Sequence, residues 1–224
     1  MDCITKRSIL SEVFQIYDPL GWIAPIVTIG KILLQELWLR NVGWDTPLLD
    51  DIVLRWSRFR EGLRKLETIR IPRWFETLSS EEITLVGFCS ASQDAYGAVV
   101  YVRQGHLYDD GRTTLIIAKS KIAPLKASSI PRLELCAAVL LTRLLIYTKA
   151  MFDVATIVGA WTDSTIVLAW IQKPSRNWKT FIANRVGEIH EAVWSSIWHH
   201  IQTGENPADC LSRGTMVEQL TGNT

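Results

Sequence analysis

The stretch that most limits how this chain can fold is residues 83–102. Residues 83–88 and 98–102 are apolar runs rich in β-branched side chains, and the small and polar Ser90-Ala91-Ser92-Gln93-Asp94 lies between them. This pattern predicts a β-hairpin. Side chains alternate along a strand, so Phe88 and Ser90 share one face while Gly87 and Cys89 share the other. Ser90 therefore closes the first strand among apolar neighbours, where it reads either as a buried hydroxyl bonded to backbone or as a site residue.

Upstream, residues 8–70 read as helical. Ile9, Val13, Phe14 and Tyr17 keep a three-to-four spacing until Asp18-Pro19-Leu20-Gly21 breaks it. Further helices are expected over 25–39 and 48–67, the last carrying Arg55, Arg58, Arg60, Arg64 and Lys65 as a basic face that is either solvated or in contact with phosphates. Pro72 and Ser79-Ser80 mark a linker. The expected organisation is a helical region over 1–75, a linker over 76–82 and a sheet domain over 83–224. In that domain the pattern predicts strands at 83–90, 96–103 and 114–119, a helix at 131–151, a strand at 156–162, helices at 164–171 and 178–192, a strand at 195–202 and a short helix from Pro207. Three antiparallel strands, a crossover helix, a fourth strand, helices and a fifth strand make an α/β chain with a mixed five-stranded sheet.

Composition narrows the function classes. A chain of 224 residues with a net charge of +1 has no overall electrostatic attraction to nucleic acid, so any such contact must come from a local patch. Cys3, Cys89, Cys136 and Cys210 show no paired spacing, which predicts reduced thiols rather than a thiolate zinc site. There is no cleavable hydrophobic leader and no apolar run long enough to span a membrane, so an intracellular, non-secreted protein is expected. Peptidase and polymerase signatures are missing. Asp163-Ser164-Thr165 lacks the glycine of an aspartic-protease loop, and Tyr108-Asp109-Asp110-Gly111 has the wrong spacing for a polymerase motif and predicts a hairpin turn.

Three later segments each put one carboxylate at the edge of a predicted element: Pro131-Arg132-Leu133-Glu134-Leu135, Trp161-Thr162-Asp163-Ser164, and Asn206-Pro207-Ala208-Asp209-Cys210-Leu211-Ser212-Arg213-Gly214. Alone, each reads equally well as a helix-end or surface charge. Pro131 marks Glu134 as a first-turn residue, and Asn206 and Pro207 serve as cap and first residue of the helix bearing Asp209. As an ordered set with the hairpin they resemble the ribonuclease H domain of retrotransposon reverse transcriptases, and most of all the Bel/Pao group of LTR retroelements. Tyr17-Asp18-Pro19-Leu20-Gly21 with Pro25 to Lys31 is similar to the run that joins polymerase to ribonuclease H in that group.

The resemblance implies a ribonuclease H-like fold that cleaves RNA in RNA–DNA hybrids with two divalent ions, Mg2+ or Mn2+, about 4 Å apart. It implies Glu134, Asp163 and Asp209 as metal ligands and as catalytic positions, and places Ser90 where the family's Phe-x-Asp-Ala-Ser motif has its first Asp. A neutral hydroxyl brings neither the charge nor the second oxygen that a hard cation wants, so turnover is expected to be impaired. Asp94 is no substitute, because four strand residues span about 13 Å if the strand continues. Lys119, Lys121, Lys126 and Arg132 gather in a Pro-containing loop over 118–131 that resembles a lysine-bearing run of the family, where they are either phosphate contacts or solvated loop charges. Ser92 and Asn184 are candidates for sugar or backbone contact. The expected partners are an RNA–DNA hybrid and the polymerase domain of the same polyprotein, of which this chain would be a fragment. The alternatives are a non-catalytic remnant that binds nucleic acid or docks on polymerase and, more distantly, an aspartic peptidase.

Overall fold

A computed structural model describes residues 4–68, 70–71, 83–104, 112–152, 155–217 and 219. Helix α1 (Lys6–Phe14) opens with a capping box in which Thr5 and Ser8 each accept the other's backbone N–H, and Pro25 pre-sets the first turn of α2 (Ala24–Leu39). With α3 (Asp50–Arg64) these helices close an apolar cluster around Ile9, Leu37, Ile52 and Trp56. The basic face expected on α3 is partly neutralised from within. Arg55 bonds Glu36 of α2 at 2.6 Å and Arg60 bonds Glu12 of α1 at 2.9 Å.

The sheet is built from β1 (Ile83–Ala91), β2 (Ala95–Gln104), β3 (Arg112–Ile122), β4 (Thr156–Thr162) and β5 (Trp198–His200), in the spatial order β3-β2-β1-β4-β5. The first three strands are antiparallel, while β4 is parallel to β1 and β5 parallel to β4. That order makes the chain ribonuclease H-like: a mixed five-stranded sheet with flanking helices. Helix α4 (Ile130–Lys149) crosses one face. Gly87 and Cys89 face it, and a Cβ at Gly87 would lie 2.4 Å from Leu141. Phe88 points to the other face, as alternation requires. Helices α5 (Thr165–Ile171), α6 (Thr180–Ala192) and α7 (Asp209–Arg213) complete the unit.

Several boundaries differ from expectation. Strand β3 extends to Ile122 because Ser120, Lys121 and Ile122 still pair with β2, so Lys119 and Lys121 are strand residues and only Lys126 lies in a loop. Strand β5 shrinks to three residues. Ser195–Ile197 forms a 3-10 turn instead, since β4 offers partners only from Ala160 to Thr162. Helix α6 begins two residues late because Trp178 is extended and its indole donates to the Trp170 carbonyl. The expected linker and the turn at 108–111 lie outside the described residues.

The outer edge of β3 is closed by the segment joining α1 to α2. Leu20 O accepts the Ala118 N–H at 2.8 Å, and Trp22 Nε1 donates to Ile116 O at 2.9 Å. An unpaired strand edge is thereby capped from within the chain. Gly21 makes the approach possible. Its φ is +73°, and a Cβ there would lie 1.8 Å from Ala118 O. Beside it, Thr28 Oγ1 donates to Ser120 Oγ at 2.6 Å, and Val217, beyond α7, returns to the helical cluster.

Candidate active site

Strand geometry brings the predicted positions to one end of the sheet. Cys89 of β1 is registered against Thr162 of β4, so Ser90 and Asp163 leave neighbouring parallel strands side by side. Glu134 lies in the second turn of α4 rather than the first, since Ser129 is the cap and Pro131 the second helical residue. Asp209 is the first residue of α7, two residues later than Pro207 would have started it. Asn206 still acts as the local cap, its Oδ1 accepting the Ala208 N–H at 3.0 Å. Gly214, at φ +75°, supplies the stop.

The carboxylates are close enough to feel one another. Ser164 Oγ donates to Glu134 Oε2 at 2.5 Å while accepting the Val167 N–H at 3.3 Å, so one hydroxyl both caps α5 and holds Glu134. Thr203 Oγ1 donates to Asp163 Oδ2 at 3.4 Å, and Arg213 stands 3.7 Å from Asp209 Oδ2. Asp163 Oδ1 and Asp209 Oδ1 are buried with no hydrogen-bond partner among the described residues. Burial pushes the Asp163 carboxyl above its ordinary range and the charge of Asp209 adds to the effect. Glu134 is raised chiefly by burial, with the charge of Asp163 adding and the Ser164 bond opposing.

Ser90 is 3% exposed and its hydroxyl lies 3.4 Å from Ser212 Oγ of α7. Two further bonds pin α7 and its approach to β1. Ser92 Oγ donates to Ser212 O at 2.6 Å, and Asn206 Nδ2 donates to Cys89 O at 3.0 Å. Ser92 Oγ also accepts the N–H groups of Asp94 and Ala95, so this hydroxyl is committed to the turn and to α7. The strand does not continue to Asp94, which is exposed beyond that turn. Ser164, Thr203 and Ser212 were missed by the sequence reading. Ser164 had a local signal, adjacent to Asp163 at a helix start, whereas Thr203 and Ser212 act only through contacts distant in sequence.

The predicted cations separate into groups. Lys121 and Asn184 line a recess of about 350 Å3 with Tyr96, Arg143, Arg185 and Glu188, between the sheet end, α4 and α6. Arg143 holds Glu188 through two hydrogen bonds, at 2.5 and 3.0 Å. Arg132 and Arg185 both stack on Phe181, 4.9 and 3.6 Å from its ring centroid. Lys126 is exposed in the 123–129 loop, and Lys119 lines a different recess with Lys31.

Among the described residues no three His, Cys, Asp or Glu side chains form a ready metal-binding group. Burial raises the Cys89 thiol strongly and that of Cys210 to about 11. The buried, partnerless oxygens of Asp163 and Asp209 do fit a hard divalent cation, which would satisfy both and cancel their repulsion.

A family model described as the Pao retrotransposon-like RNaseH-like domain matches residues 5–164. The chain belongs to this family. Its match takes in both the α1–α2 region and the sheet as far as Ser164, so the edge clamp and the first carboxylates fall inside one family unit. No curated protein matches the sequence. Among solved structures, RNase H1 from the halophilic archaeon Halobacterium salinarum NRC-1 is 14% identical over 64% of this chain and 99% of its own, with a TM-score of 0.37. LC11-RNase H1 in complex with an RNA/DNA hybrid is 14% identical over 62% and 99%, at 0.38. A foamy viral protease-reverse transcriptase in complex with dsDNA is 13% identical over 88% of this chain and 41% of that one, at 0.42. No described helix is long and apolar enough to cross a membrane.

Proposed function

We propose that this Pao-family chain is a ribonuclease H-like hydrolase domain for the RNA strand of RNA–DNA hybrids, with its turnover impaired at Ser90. The observation that carries the reading is the pair of buried carboxylate oxygens, without partners among the described residues, on Asp163 after β4 and Asp209 at the start of α7. Asp163 and Asp209 would hold a divalent ion, with Glu134 beside them, and Mg2+ or Mn2+ bound there supplies charge stabilisation and an activated water for phosphodiester hydrolysis. The chain's own contribution is positional. Ser164 orients Glu134, Asn206 and Ser92 fix α7 against β1, and Thr203 steadies Asp163. Ser90 gives its hydroxyl to a Ser212 contact where a carboxylate would face Asp163. The Lys121–Arg185 recess and the Arg132–Phe181 stack offer positive charge for the strand backbone, and the α1–α3 region would face the polymerase domain of a longer polyprotein.

The test is Mg2+-dependent cleavage of a labelled RNA–DNA hybrid by the unmodified chain, Ser90→Asp, and Ser90→Asp/Asp163→Asn. Cleavage by Ser90→Asp about 100-fold or more above the unmodified chain, abolished in the double variant, is expected. An unmodified chain that cuts as fast as Ser90→Asp overturns the impairment, and silence in all three overturns the hydrolase reading in favour of a binding remnant.

A further inference from the structure

Behind the edge clamp, between residues 16–21, α2 and β3, lies a recess of about 260 Å3 that the hydrolase reading leaves unused. Its walls are largely apolar, with Val13, Ala24 and Val27 among them, yet two lysines line it, Lys31 from α2 and Lys119 from β3. Among the described residues neither ammonium has a hydrogen-bond or salt-bridge partner. Lys31 is half-buried, and burial together with the charge of Lys119 disfavours its charged form while Asp18 favours it. Asp18 does not close the arrangement. Its Oδ1 accepts the Trp22 N–H at 2.9 Å and its Oδ2 the Ile23 N–H at 3.1 Å, so the carboxylate is held by the loop. Lys119 is exposed at the mouth of the recess, so two cations stand against one anion, and a half-buried ammonium that faces a second cation and has no acceptor is relieved by an oxyanion.

We propose that Lys31 and Lys119 form an oxyanion site that takes a phosphate group between them at the junction of the helical region and the sheet edge. Compact ammonium groups suit phosphate as point charges. The phosphate comes either from a nucleic-acid backbone, in which case the helical region helps hold the strand, or from a free phosphate compound. The site stands apart from the Lys121 recess and does not require the carboxylate end of the sheet to hydrolyse anything.

Two measurements on the full chain test it, with Lys31→Gln and Lys119→Gln as separate variants and Lys121→Gln as a control in the other recess. In the first, inorganic phosphate replaces chloride at matched ionic strength during thermal unfolding. It should raise the Tm of the unmodified chain and of Lys121→Gln, and the rise should be lost in either Lys31→Gln or Lys119→Gln. A rise that persists in both variants, or that is missing from the unmodified chain, overturns the site. In the second, hybrid affinity is followed against salt in Ca2+. Loss of the phosphate response together with a fall of about 1 in the salt slope assigns the ligand to a strand phosphate, whereas loss with an unchanged slope assigns it to a free phosphate compound. Failure of Lys121→Gln to weaken hybrid binding counts against the nucleic-acid reading alone.

Discussion

Asp18 and Asp163 are alike in sequence terms, each an aspartate where a regular element gives way to a turn, and burial raises the carboxyl of both. Their surroundings differ. Asp18 gives both oxygens to backbone N–H groups and has Lys31 nearby, whereas Asp163 has one long contact from Thr203, one buried oxygen with no partner among the described residues, and Asp209 as a neighbour. A buried polar group whose bonds are made holds a fold together. One whose bonds are left open beside a like charge is costly unless something else completes it. The Asp18 loop is therefore a fastening of helices to sheet edge, whereas the Asp163 end keeps open bonds that the proposed cation would complete.

The strongest way to break the comparison is at Gly21. Gly21→Ala forces a side chain into a left-handed backbone against Ala118 O, and a loss of about 3 kcal/mol is expected by urea unfolding, with hybrid cleavage by Ser90→Asp not the property selectively affected. Asp18→Ala should cost about 2 kcal/mol by stranding the N–H groups of Trp22 and Ile23. Asp163→Asn is expected to act in the opposite direction, raising stability at pH 7 by at most about 1 kcal/mol once solvent screening is allowed for. The sign follows from linkage. A carboxyl whose folded pKa lies above its unfolded one binds more protons when folded, so stability falls as pH rises from the unfolded value, about 4, through the raised folded value. Asp163→Asn should flatten that fall above about pH 4 in chemical denaturation, and a curve unchanged from the unmodified chain would remove the argument for an unsatisfied charge. The smallest effect belongs to the surface. Arg60→Ala, which frees Glu12 on α1, should shift stability by less than about 0.5 kcal/mol, leaving the helical cluster around Trp56 intact.

Much of the architecture was legible because hairpins and helices announce themselves locally. Alternation around Ser90 gave the correct faces of β1, and Pro131 and Ser164 marked helix starts where the chain does turn. The misreadings share a cause. Strand β3 runs on to Ile122 and β5 stops at His200 because a neighbouring strand does or does not offer partners, a property of the pairing and not of the segment itself. The site shows the same division. Its carboxylates stand at element ends and were visible in order, but the bonds that place them, Asn206 to Cys89 and Ser92 to Ser212, link residues more than a hundred positions apart. The clamp of Leu20 and Trp22 on β3 was hidden for the same reason, even though its motif was conspicuous.

The central claim, that the sheet end is built to hold a divalent cation and lacks one ligand at Ser90, is tested most directly by Mg2+-linked stability. Thermal unfolding of the unmodified chain and of Ser90→Asp would be followed as Mg2+ is raised at constant ionic strength. The account predicts that Ser90→Asp is the less stable of the two without the ion, since it adds a carboxylate beside Asp163, and gains the more from it, about 2.7 kcal/mol at a concentration 100 times its dissociation constant. Equal responses of the two chains, or a Ser90→Asp variant indifferent to Mg2+, would contradict it.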